Sequence, residues 1–118
     1  MQAFRKKKSI AGDEDKEMIQ VVVEIAAKAG QRDAVLKTFK ANVPAVHAEQ
    51  GCIEYSAFVD AQGFGALAPF GDDTFVVLEK WESASHLKAH AKAPHMLEYQ
   101  AKVKDLIESR TIHVLSPA

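Results

Sequence analysis

Between Ile19 and Ala26 apolar and polar positions alternate: Ile19, Val21, Val23 and Ile25 take one side, and Gln20, Val22, Glu24 and Ala26 the other. A period of two over β-branched residues predicts a first strand. Gly30 interrupts it, and up to Gly51 the apolar positions become Val35, Leu36, Phe39, Val43 and Val46. Spacings of three and four put these on one helical face. Pro44 removes an intrahelical hydrogen bond and is expected to kink this helix or end its regular part. Cys52 to Val59 alternates again, with Ile53, Tyr55, Ala57 and Val59 against Cys52, Glu54, Ser56 and Phe58, and Thr74 to Trp81 reads as a third strand. Ser83 and Ser85 offer oxygens to cap a short helix over Ser85 to Ala93. Pro94 breaks it, and Met96, Tyr99, Val103, Leu106 and Ile107 mark a second helical piece before a last strand, Arg110 to Leu115.

The order β-α-β-β-α-β, with its second helix in two pieces, predicts an α+β fold: a ferredoxin-like antiparallel sheet with helices on one face. The strands are apolar on both sides, Val22 opposite Val21 and Val23, Val76 and Leu78 opposite Phe75 and Val77. The uncovered face therefore calls for a second copy, and a homodimer with two sheets packed face to face, a dimeric α/β barrel, is expected. The segment Ala61 to Asp73, AQGFGALAPFGDD, is too long for a tight hairpin and too apolar for a linker. It is a candidate lid over a ligand, or an extension of the dimer contact.

Composition narrows the class. The 118 residues carry 15 basic and 16 acidic side chains, a formal charge of -1, which gives no basic field for nucleic acid. One cysteine, Cys52, cannot build a disulfide framework or a thiolate zinc site. The longest strongly apolar run, Phe75 to Leu78, falls far short of the roughly 20 residues that cross a bilayer, so no membrane partner and a cytoplasmic location are expected. Residues 1–17, MQAFRKKKSIAGDEDKE, mix charges without an apolar stretch of secretory type and read as a mobile arm ahead of a domain at 18–118. Met18 is an alternative start to Met1.

Three segments then stand out together: Glu49-Gln50-Gly51-Cys52-Ile53-Glu54-Tyr55, Glu79-Lys80-Trp81-Glu82-Ser83, and His90 followed by Pro94-His95-Met96. In this order they resemble the E-x-G-C-x-x-Y, E-x-W-x-S and H-x-x-x-P-H segments of the antibiotic biosynthesis monooxygenase family, over about residues 18 to 115. The resemblance implies a dimeric α/β barrel with a pocket between sheet and helices. Some members oxygenate quinols or polycyclic phenols there with O₂ and neither metal nor flavin. A phenolate is electron-rich enough to reduce O₂, so such a site must bind the ring, promote deprotonation and exclude water. On this reading His90 is the catalytic base, an imidazole titrating near neutrality. Trp81 and Tyr55 stack on or hydrogen-bond to the ring, and Asn42 orients a substrate oxygen.

Each residue has a structural alternative. His90 could fix the break before Pro94 through a backbone carbonyl, and Trp81 could seal helix against sheet. Asn42 could serve backbone freed by the Pro44 kink. Tyr55 and Cys52 fall on opposite faces of the second strand, so one lines a pocket while the other packs. His86 and His90 stand four apart, yet no H-E-x-x-H occurs and the resemblance carries no metal. Haem-degrading relatives use a first-strand asparagine whose position falls at about Val23, which cannot hydrogen-bond a haem-bound oxygen. The expected function is a cofactor-independent monooxygenase of a quinol or polycyclic phenol. The alternatives are a non-catalytic small-ligand-binding or stress-response protein, or an isomerase of a small phosphorylated signal. The isomerase would need cationic groups to hold phosphate, and Lys80, Lys88 and Lys92 are not visibly clustered with the histidines, which weakens that alternative without excluding it.

Overall fold

The computed structural model describes residues 17–118; apart from Glu17, the arm expected over 1–17 lies outside the described residues. Four strands, β1 (Ile19–Ala27), β2 (Cys52–Phe58), β3 (Thr74–Trp81) and β4 (Ile107–Leu115), form one sheet in the order β2-β3-β1-β4, antiparallel throughout. Helices α1 (Arg32–His47), α2 (Ala84–Lys92) and α3 (Pro94–Val103) connect them, with a 3₁₀ turn over Lys104–Leu106. This is the α+β ferredoxin-like arrangement that the alternation predicts.

One parity set of the two central strands builds the core. Val21, Val23, Ile25 and Ala27 of β1 and Phe75, Val77, Glu79 and Trp81 of β3 are all buried beneath the helices. From α1, Val35, Phe39 and Val46 meet them. Phe39 is the hub: its ring stacks on Tyr55 at 5.0 Å and meets Phe75 and Tyr99 edge-on at 5.9 and 6.1 Å. Offset and edge-to-face pairs add about 1 kcal/mol each to the apolar burial.

Four details depart from the expectations of the alternation. A bulge in β2 sets Cys52 opposite Trp81 but Tyr55 opposite Glu79, so Cys52 and Tyr55 share the helix-facing side instead of opposing each other. An extra residue in one strand shifts the parity of everything before it. Pro44 does not end α1, which continues to His47. Ser83, not Ser85, caps α2, its Oγ accepting from the His86 backbone N–H at 3.3 Å. Ile107, read as helical, opens β4, because pairing with Ala27 outweighs a helical stripe that ends there.

Local geometry places α3 and the 59–73 connection. Ala93 has φ -63° and ψ 137°, extended as a residue before proline tends to be, and Pro94 starts α3 at its first position, where no N–H is needed. The 59–73 connection is tied at its base: Asp60 accepts from the Phe70 and Gly71 N–H groups at 2.9 and 2.8 Å, which holds its carboxyl below the usual range. Phe64, Leu67 and Phe70 nonetheless stay exposed.

Gly51, between α1 and β2, has φ +83°, and a Cβ there would collide with the His86 ring. Gly51→Ala is expected to cost about 1–3 kcal/mol, from backbone strain plus displacement of the ring. Urea unfolding measures it; an unchanged midpoint would show that the turn relaxes freely.

Candidate active site

His90 leaves α2 on its inward face and is 5% exposed. Its Nδ1 lies 2.9 Å from Oε2 of Glu49, in the turn after α1, and His95 Nε2 reaches the same oxygen at 2.7 Å. A carboxylate only accepts, so both ring nitrogens donate. In the neutral ring the His90 proton therefore sits on Nδ1, which leaves the lone pair to Nε2. On that side, 3.9 Å from Nε2, is Oε1 of Glu79.

Glu79 occupies a core position of β3, and burial pushes its carboxyl above the ordinary glutamate value of 4.5. The nearby Glu49 acts in the same direction, while the Trp81 Nε1–H donated to Oε1 at 2.9 Å and the neighbouring His90 pull the other way. Trp81 is fully buried, its ring centroid 4.6 Å from that of His90. The indole thus walls the imidazole on one side and holds Glu79, while Tyr55 meets His90 edge-on at 5.5 Å.

These groups border a cavity of about 300 Å³ between the sheet and the α2–α3 pair. His90, Glu79 and Tyr55 line it, with Val21, Val23 and Met96 among its apolar walls. Desolvation pushes the Tyr55 phenol well above its usual range, so it stays neutral, and its hydroxyl has only Met96 Sδ at 4.0 Å as partner. It remains a hydrogen-bond donor for a ligand oxygen. Burial likewise pushes the Cys52 thiol up, which keeps it protonated.

Of the residues singled out in the sequence, His90 and Tyr55 share this cavity. Trp81 packs against His90 and is not part of the lining, and Asn42 is not part of it either, donating to Met96 Sδ at 3.4 Å. The alternative in which His90 bonds a backbone carbonyl does not describe its ring; only its own carbonyl serves the break, accepting from Ala93 N–H at 3.1 Å. His86 does not join His90: its Nδ1 meets Ser83 Oγ at 2.8 Å, and its ring covers Gly51. Val23 gives the cavity wall an apolar group where the haem-degrading pattern has an amide.

Glu49 and Glu79 lie inside the segments that carry the resemblance, yet the sequence pattern gives neither a role. For Glu79 a signal existed, a carboxylate on the Phe75, Val77, Trp81 side of an otherwise apolar strand. For Glu49, 41 residues from His90, none did.

The chain belongs to the antibiotic biosynthesis monooxygenase family, whose model matches residues 18–102. It is 38% identical over 102 residues, 85% of this chain and 98% of the other, to the Escherichia coli protein named "Probable quinol monooxygenase YgiN". The solved structure of Rv0793 from Mycobacterium tuberculosis superposes with a TM-score of 0.71 at 25% identity, covering 86% of this chain and 95% of that one. PA3566 from Pseudomonas aeruginosa, at 21% identity and TM-score 0.74 over 88% of this chain and 97% of its own, shares the fold. Among the described residues no helix is long and apolar enough to cross a membrane.

The raised Glu79 carboxyl gives a signed pH effect. Above 4.5 the folded state holds a proton that the unfolded chain has released, so this group makes stability fall as pH rises, until the folded carboxyl also ionises. Glu79→Gln keeps an acceptor for Trp81 and removes the titration. Its stability relative to wild type is expected to climb as pH rises from 4.5 and then level off. Urea unfolding across the pH range checks this; a pH-independent difference would mean the carboxyl titrates normally.

Proposed function

We propose that this protein is a monooxygenase of quinol-type aromatics that uses O₂ directly. The observation that carries the reading is His90, which lines a largely apolar cavity with Nδ1 held by Glu49, so that the neutral ring has Nε2 as its free acceptor. The family and the quinol named for the Escherichia coli relative support the reaction class.

In this mechanism a quinol lies against the apolar walls, Tyr55 donates to one ring oxygen, and His90 Nε2 takes the proton of a hydroxyl. Glu49 faces the positive charge the ring then acquires and fixes its orientation, a positioning role. The quinolate reduces O₂, and the resulting peroxide forms a bond from oxygen to a ring carbon. Cleavage of the O–O bond leaves one oxygen on the ring, and the other departs as water. The quinol loses four electrons in all, two from its hydroxyls and two from the C–H carbon, and becomes a hydroxyquinone. No bound cofactor is required, because the quinolate is itself the reductant. Water exclusion matters since the reduced oxygen species must meet the ring before solvent.

The two-sheet homodimer belongs to the same proposal. Val22, Val76 and Leu78 on the face away from the helices are only half-covered, and Phe58 is 48% exposed. A second copy of the sheet would bury them. Sedimentation at micromolar concentration should give twice the 12.9 kDa chain mass, and a monomer would refute it.

Oxygen uptake with a panel of naphthohydroquinones, corrected for autoxidation, is the deciding measurement. His90→Ala is expected to lower the protein-dependent rate by about 10²-fold or more with the fold intact by circular dichroism. Glu49→Ala should cost less and reshape the pH profile. Equal rates for wild type and His90→Ala would remove the base from the mechanism, and no uptake above the blank would remove the reaction.

A further inference from the structure

The cavity has a second polar end. Arg110 of β4 pairs opposite Ile25, which places it on the helix-facing side, and it lines both the His90 cavity and an adjoining one of about 470 Å³. Ile25, Tyr99 and Gln100 also line both, so the two spaces adjoin along a groove between α3 and β4. Among the described residues no carboxylate pairs with Arg110. Its neighbour Tyr99 is 7% exposed, and the phenolic oxygen is buried without a hydrogen-bond partner. An exposed guanidinium at the rim of an apolar groove, within electrostatic reach of a buried hydroxyl that has no partner among the described residues, is an arrangement that a ligand's anionic oxygen would complete.

We infer that the groove takes an aromatic acid, with the reacting ring at His90 and a carboxylate at Arg110. The inference rests on reading the cavity as the substrate site and specifies the substrate class. The register sets the length scale: Glu79 pairs opposite Val21 on one side of β1 and Arg110 opposite Ile25 on the other, a step of roughly 13 Å along β1 and about 10 Å across two strand spacings. A span of this size suits a fused-ring system rather than a single ring. Lys80, Lys88 and Lys92 line neither space and Lys104 lines only the larger one, so Arg110 is the cation that borders the His90 cavity, at the end away from His90, and it acts as a specificity residue.

Calorimetric titration of the full-length protein with 2-naphthoate and its neutral isostere 2-naphthamide tests this without turnover. Wild type should prefer the carboxylate by about tenfold, the value of a charge-assisted hydrogen bond. Arg110→Gln should abolish the preference by weakening naphthoate alone, and Arg110→Lys should restore part of it. Added salt should shrink the preference in wild type and leave naphthamide unaffected. Equal binding of the two ligands to wild type, or equal weakening of both in Arg110→Gln, would overturn the role of Arg110 and leave the monooxygenase reading standing. Binding of neither would overturn the groove as an aromatic site and this inference with it. Absence of oxygen uptake alongside an intact carboxylate preference would overturn only the reaction.

Discussion

A single carboxylate oxygen organises the functional half of this molecule. Oε2 of Glu49, in the turn between α1 and β2, accepts from His90 on α2 and from His95 on α3. It thereby ties three segments together across the break at Pro94. Charge-assisted hydrogen bonds of this kind outweigh neutral ones, and in a partly buried setting they are costly to leave unmade. Because the carboxylate cannot donate, the tie also dictates which nitrogen of His90 faces the cavity. Position and tautomer of the neutral ring come from the same contact.

Everything else around His90 serves to hold it there. Gly51 brings the chain out of the α1 turn with a backbone that lets His86 pack over it, and the Glu82 N–H donates to the Gly51 carbonyl at 2.8 Å. That places the start of α2 against the turn that carries Glu49. Trp81 fills the space behind the imidazole and anchors Glu79, a carboxylate that would otherwise sit unsatisfied in a core position. A rigid floor of β1 and β3 residues, locked through the Phe39 ring cluster, completes the frame.

The polar groups are distributed so that the cavity has a basic nitrogen at one end, a cation at the other and apolar walls between. On the proposed reading such a site recognises a flat, oxygenated ring system by its ends and holds its middle by area. The loop at 59–73 lines neither of the two spaces, despite its phenylalanines. Tied at its base by Asp60, it presents Phe64 and Leu67 outward, away from the groove of its own chain.

Local pattern by itself determined much of this. Alternation identified β1 and β3, the three-and-four spacing identified α1, and Pro94 marked the division between α2 and α3, because each is a consequence of backbone geometry acting over a few residues. His90 and Tyr55 were legible as candidates through the segments around them, and both border the cavity. The bulge that moves Cys52 beside Tyr55 was not legible, since a bulge is fixed by pairing with β3 and not by the residues of β2 alone. Nor were the partners of His90. Glu49 lies 41 residues away, and Glu79 belongs to a strand whose neighbour relations depend on sheet order. Arg110 looked like the first residue of a terminal strand; only the antiparallel register with Ile25 turned it toward the groove. Sequence pattern sets which faces are apolar, whereas tertiary pairing decides which polar groups are brought within hydrogen-bonding distance, because that distance depends on how separate elements dock.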